Sequence, residues 1–311
     1  MAATKISDVI VPEIFTPYLI QKTVEKSAFL NSGIASSDPN VVITKGGRTV
    51  NIPFWKNLTG TTEVLSDSAS LTVNNITSAV DIAAIHARGV AYGVNSLAEL
   101  FSGDDPMAAI GNKLADNWAV ELEKVLINTL TGVFGVAAMA NSINDQSKNV
   151  LTADIMTDSM FLLGDNFSQI RAIAMHSMVL AKLKKLDLVE DFQPSDLSPS
   201  YSTYMGKRII VDDALAPVEG VYNVYFFADG AIAYNENAEF STLKTDEDIL
   251  ADESVIASRR VFTMHPRGVK WVGTAAGATP SNVELATASN WALVDDRKNV
   301  GLSLLKVKVS A

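Results

Sequence analysis

The sequence predicts an α+β fold, and three observations carry that prediction. A helical period runs from Asp104 to Gly132, β-rich stretches precede it, and the second half mixes strands and helices without a regular βαβ alternation. With 48% hydrophobic residues, a chain of 311 residues can bury a real core, as one large domain or two ordinary ones.

The helical stretch is the element around which the rest is organised. Met107, Ile110, Leu114, Trp118, Leu122, Val125, Leu126 and Leu130 recur at steps of three and four, which places them on one face. Asp105 is the predicted cap, Pro106 suits a first helical position, and Gly132 is the predicted left-handed stop. About 26 residues at roughly 1.5 Å each make a rod near 40 Å long, with no catalytic pattern on it.

Before the rod, residues 1–40 read as an N-terminal arm. Pro12, Pro17 and Pro39 interrupt it, and Tyr18 to Leu30 suits one amphipathic helix. Such a leader either lies on another surface or is a plain tail. Residues 41–95 turn β-rich at Val41–Ile43 and Thr49–Trp55, with Gly46-Gly47 between them. A tract rich in Ser, Thr and Asn follows from Asn57 to Asp81, then Ile82, Ala84, His86, Gly89 and Tyr92 return to an apolar pattern. Two strand-like limbs around a polar tip with little apolar surface predict a long, projecting hairpin, because a polar excursion of this length is unusual inside a compact domain.

After the hairpin, Ser96 to Glu99 forms a capping box for a short helix ending near Gly103. Beyond the rod, Thr152 and Asp154 open a helix that Gly164 stops. Ile170–Met175 is a strand, and Ser177 caps a helix carrying Leu180, Leu183 and Leu186. Arg208–Val211 is a strand. Two hairpins are predicted: Val224–Ala228 with Ala231–Tyr234 across Asp229-Gly230, and Ser254–Met264 with Val269–Val272 across His265–Gly268.

Chemistry is largely missing. His86, His176 and His265 each fall at the end of a predicted strand and share no metal-ligand spacing. His176-Ser177 places a base beside a hydroxyl without a nucleophile elbow. Asp246, Glu247, Asp248, Asp252 and Glu253 lack the calcium-loop pattern and read as a solvated edge. Lys182, Lys184 and Lys185 form a small basic face without aromatics, and Gly46-Gly47 lacks a phosphate-loop context. No catalytic residue, cofactor site or metal site is predicted, and the chain is read as not an enzyme. A net charge of −10 argues against a nucleic-acid reader but does not exclude a container that holds DNA without sticking to it. Zero cysteines exclude disulfides and thiolate sites. The N-terminus has no secretory core and no segment nears about 18 unbroken apolar residues, so no membrane partner is expected.

The order of elements resembles the major capsid protein of tailed bacteriophages, the Hong Kong 97-type fold, across nearly the whole chain. Local sequence agrees: Leu163-Gly164-Asp165, Met175-His176-Ser177, Met205 to Asp212 and Phe227 to Ala231 are similar to the axial-domain region. Arg259-Arg260, His265 to Trp271 and Asn290-Trp291 are similar to the return into the peripheral domain. The resemblance implies an N-terminal arm (1–40), an E-loop hairpin (41–95) and a spine helix with part of the peripheral domain (96–149). An axial domain (150–250) and a peripheral return with the C-terminus (251–311) follow.

The resemblance also implies pentamers and hexamers in an icosahedral shell around double-stranded DNA, the latter held by non-specific contact. A portal and a separate scaffolding protein are the expected partners, since the arm begins almost at Met1. The protein is expected in the virion after synthesis in the host bacterial cytoplasm. Some members link an E-loop Lys to a neighbour's Asn; Lys56, beside Asn57, is the candidate here, and the shell is expected to lack such links. An encapsulin-type compartment and an α+β hydrolase using His176 or His265 are the rival readings.

Overall fold

A computed structural model describes residues 27–310, apart from 28, 39–40, 42, 44–46, 59, 66, 68–69, 96–105, 194–200 and 249–251. The arm before residue 27, the capping box at Ser96 and the cap at Asp105 lie outside the described residues.

The rod is helix α1 (Pro106–Phe134), 29 residues, roughly 43 Å at the usual rise. Leu114, Trp118, Leu122, Val125, Leu126 and Leu130 are buried along it, as the helical period requires. Gly132 does not stop it. A Cβ there would meet the Leu285 carbonyl oxygen at 2.0 Å and Trp291 Nε1 at 2.6 Å, and Trp291 Nε1 donates to that same carbonyl at 2.8 Å. The glycine lets another segment press against the helix backbone. Alanine in an ordinary helix interior gains about 1 kcal/mol over glycine. Here Gly132→Ala is expected to lose about 1–3 kcal/mol through overpacking, read as a lower urea midpoint.

Two sheets lie against this helix. One has seven strands in the order β4-β15-β9-β5-β8-β7-β6. These are β4 (Ile143–Val150), β5 (Ile170–Met175), β6 (Glu190–Phe192), β7 (Tyr201–Tyr204), β8 (Lys207–Val211), β9 (Val221–Ala228) and β15 (Leu302–Lys308). Helices α2 (Ala153–Met160) and α3 (Ser177–Lys185) cover one face through Met156, Met160, Val179 and Leu183, which join Ile173, Val224 and Phe226 in a core. The other face sends Ala172, Tyr225, Phe227 and Leu304 against Leu122, Leu126 and Leu130 of α1 and against Phe29. Thr152 caps α2 by accepting from Ile155 N at 3.4 Å, and a kinked 3-10 stretch through Gly164 follows it.

The second sheet runs β1-β10-β12-β3-β2, with β11 also on β12. It comprises β1 (Ala35–Ser37), β2 (Thr49–Trp55), β3 (Ser78–Asn95), β10 (Ile232–Glu236), β11 (Thr242–Asp248) and β12 (Glu253–Pro266). On β12 the residues at 256, 258, 260, 262 and 264 are buried, while 253, 257 and 259 are exposed. That alternation marks a sheet with one covered face along most of the strand.

Both predicted hairpins in this half are overturned. The turn at Asp229-Gly230 exists, with Gly230 at φ 61° and Ala231 N donating to Ala228 O at 3.3 Å. It carries the chain from one sheet into the other. β9 is an interior strand whose two edges belong to β5 and β15, so none is left for β10, which pairs with β12 and β1. The same reason separates β12 from β13 (Val269–Trp271). β12 is flanked by β3 on one edge and by β10 and β11 on the other, and β13 pairs instead with β14 (Trp291–Leu293).

Candidate assembly surfaces and their buried supports

β2 and β3 form an antiparallel ribbon, registered from Thr49↔Ala84 to Trp55↔Ser78. Past the ladder the two limbs stay together: Lys56 N donates to Thr77 O at 3.0 Å, and Thr72 N donates to Glu63 Oε2 at 3.1 Å. The Thr72 contacts hold the exposed Glu63 carboxyl below its ordinary range. The tip is less polar in effect than its sequence predicts. Leu58, Val64, Leu65, Leu71, Val73 and Ile76 are all exposed there, Val64 at 95%. Asp81, expected within the polar tip, is instead buried at the ribbon's root. Lys56 is exposed next to Trp55, itself 67% exposed, so no described residue of its own chain gives the amine apolar cover.

The root rests on β12. Asp81 Oδ1 lies 2.8 Å from His265 Nε2, and Asp81 Oδ2 accepts from Gly268 N at 2.9 Å. His86 is not at a strand end: it sits inside β3, 1% exposed, with its ring 5.3 Å from that of Phe262. Burial, and then the positive charges of Arg88 and His265, push its pKa down to about 3.

Further along β12, Arg260 and Glu236 form a buried ion pair. Arg260 Nε donates to Glu236 Oε1 at 2.7 Å, and Arg260 Nη2 donates to Glu236 Oε2. Tyr234 donates to Glu236 Oε2 at 2.8 Å and Ser241 to Oε1 at 3.0 Å, so the carboxylate accepts four hydrogen bonds. Burial first, then the Glu236 charge, hold the Tyr234 phenol well above its ordinary pKa. The guanidinium lies over the ring of Trp118, 5.6 Å from its centroid, and Trp118 Nε1 donates to Ser258 Oγ at 2.9 Å. Helix α1 is thereby joined to β12 by one cation and one indole. Sequence reading missed this network, because an Arg and a Glu separated by 24 residues carry no local sign of being paired.

His176 caps α3, the role predicted for Ser177. Its Nδ1 accepts from Met178 N at 3.0 Å, and Asp213 Oδ1 accepts from Ser177 N at 3.1 Å. Ser177 Oγ lies 3.4 Å from the same Nδ1, but that nitrogen's lone pair already serves the helix terminus and is not free to act as a base. The Ser177 contacts hold the Asp213 carboxyl below its usual range. Asp246, Glu247, Asp248, Asp252 and Glu253 are exposed along the outer part of β11 and β12. Lys184 pairs with Asp191 at 3.3 Å at the end of α3. Among the described residues no three His, Asp or Glu side chains gather closely enough to hold a metal ion, and no helix there is long and apolar enough to cross a membrane.

The described residues combine a two-stranded ribbon carrying exposed apolar side chains with a long helix joined to a sheet. Solved structures share this architecture. The capsid of Cyanophage Pam1 matches with a TM-score of 0.60 at 12% identity, covering 93% of each chain. Mycobacterium phage Bobi matches at 0.57 and 10% identity, over 91% of each. The fold is therefore the Hong Kong 97-type α+β capsid fold. A model of the Gp13-like family, described as major capsid protein 13-like, matches residues 54–301, and the major capsid protein of Bacillus phage SPP1 is 39% identical over the full length of both chains. The chain belongs to the Gp13-like family of major capsid proteins. Its role is structural, not enzymatic, its place is the virion capsid, and it assembles with itself into a shell.

Proposed function

We propose that copies of this chain form pentamers and hexamers and close into an icosahedral shell around the double-stranded DNA of a tailed bacteriophage. The ribbon carries the reading: six apolar side chains are held in the open on a projection that no other described residue covers. Residues 41–95 act as the E-loop that reaches a neighbouring subunit, and α1 is the spine within 96–149. Residues 150–250, which contain most of the seven-stranded sheet, make the axial domain. Residues 251–311 return to the periphery, and 1–40 is the arm. DNA touches the wall without sequence preference, and a net charge of −10 keeps it from sticking. A scaffolding protein and a portal complete the assembly, which begins in the host bacterial cytoplasm.

Replacing residues 58–76 by a short turn tests the reading. The circular dichroism spectrum should be unchanged, because no described residue in that span is buried. Particle yield should fall by about tenfold or more, because contacts multiplied by symmetry are lost together. Normal particles from the shortened chain would refute the proposal. Particles boiled in detergent should run as a single band, because the exposed Lys56 lacks the desolvation that amide formation needs. A ladder abolished by Lys56→Ala is the contrary result.

A further inference from the structure

β3 is one strand with two sets of partners. Ser78–Ala84 pair with β2 in the ribbon, while Ile85–Asn95 pair with β12 in the body. The ribbon side of that changeover stays buried through Ala84, Ala83 and Asp81 before it leaves the body, so whatever fixes this stretch fixes the direction of the tip. Asp81 is on the ribbon side, yet it is 5% exposed. The body takes both of its carboxylate oxygens, one through His265 Nε2 at 2.8 Å and the other through Gly268 N at 2.9 Å.

Neither partner is free to drift. The His265 ring is buried and stacks on Trp291 with centroids 6.1 Å apart, and Trp291 is held by its bond to Leu285 O. Gly268 sits in a left-handed turn at φ 80°, where even a Cβ would press on Val300 and Asp295 at 3.2 and 3.3 Å. We infer that Asp81 is a positioning residue: its two-point tie to His265 and Gly268 sets the direction in which the ribbon projects. The tie lies within one chain, and only its consequence for the shell rests on the reading of the ribbon as an intersubunit arm.

The lever is long. Thr72 donates to Glu63, the neighbour of Val64, and the adjacent Leu71 is ten residues beyond Asp81, at most about 33 Å at roughly 3.3 Å per residue. A swing of about 10° at the root then moves that point by up to about 6 Å, more than the 3.5–4 Å span of a van der Waals contact. A tip so displaced would miss a surface built for it.

The absence of cysteine makes the test direct. Val64→Cys and Val283→Cys, at positions 95% and 77% exposed, give a spin-label pair joining ribbon to body. Labelled chains are diluted into unlabelled ones so that only distances within a chain are read. With Asp81 intact the distance distribution should be narrow; in Asp81→Ala it should broaden roughly twofold, as for a released hinge. Asp81→Asn and His265→Gln, closer in size, should broaden it in the same direction and cover the case in which alanine prevents folding. A thermal melt of each variant separates general loss of stability from loss of direction. Unchanged width in the folded variants overturns the inference. Broadened distances with full shell yield uphold the tie and overturn the intersubunit reading, whereas loss of shells on shortening the tip, with unchanged distances in the Asp81 variants, overturns the tie alone.

Discussion

Glu236→Ala is expected to cost the subunit about 3–5 kcal/mol, the range for stranding one member of a buried ion pair. The Arg260 and Glu236 side chains are 2% and 5% exposed, and removal of the carboxylate leaves the guanidinium with the face of Trp118 in place of a counter-charge. Tyr234 and Ser241 lose their acceptor in the same step. Urea unfolding of the soluble subunit measures the loss. The double variant Glu236→Leu with Arg260→Met should recover the part due to the stranded guanidinium, because an apolar pair avoids the desolvation cost, while Tyr234 and Ser241 still lack their acceptor. A single-variant loss below about 1 kcal/mol would place the pair among exposed salt bridges and defeat the argument.

The second large effect is acid sensitivity through His86. Its pKa falls from 6.5 to about 3 on folding, chiefly because burial penalises the charged ring. Between those values the unfolded chain binds a proton that the folded chain refuses. Stability is unaffected by this group above pH 6.5 and declines as the pH drops through the window, at about 1.4 kcal/mol per unit. Across the full window that approaches about 4–5 kcal/mol. The hydrogen-bonded carboxylates of Asp145, Asp165, Asp191 and Asp213 are held below their ordinary range and contribute only lower on the pH scale. Comparison of the chain with His86→Leu from pH 6.5 to 5 therefore isolates the histidine. Parallel stability curves for the two would show that His86 carries no such burden.

The sequence made local features legible and left long-range ones dark. The face of α1 could be read because Leu114, Trp118 and Leu122 repeat at the helical period. The limbs of the ribbon could be read because alternation gives way to a Ser/Thr/Asn tract and then returns. Gly132 misled because a glycine near a helix end has two uses, and only Trp291, 159 residues later, reveals which applies. Asp229-Gly230 misled for a related reason: its turn chemistry is correct, but β9 had no edge to offer. Leu302–Lys308 passed unnoticed as a strand, and with it the closing of the larger sheet. The site fared worst. The sequence places Asp81 in the polar tip and carries no sign that Glu236 or Arg260 is buried, because their burial depends wholly on strands brought in from elsewhere.

The position of β15 has a consequence for how the protein is made. It lies between β4 and β9, and Leu304 pairs with Ile143 across 161 residues of sequence. A ribosome that has finished β4 must add all of those residues before the partner strand exists. Until then the nascent chain carries two open strand edges where the finished sheet has none between them. Closure of the sheet is thus a late event in synthesis, and pairings this distant in sequence form slowly even afterwards. A chain abandoned by the ribosome before residue 302 lacks an interior strand, not a dispensable tail. It cannot present the finished surfaces of a subunit. In a lattice where one faulty member is shared with every neighbour, the thread order of the strands itself screens out unfinished copies.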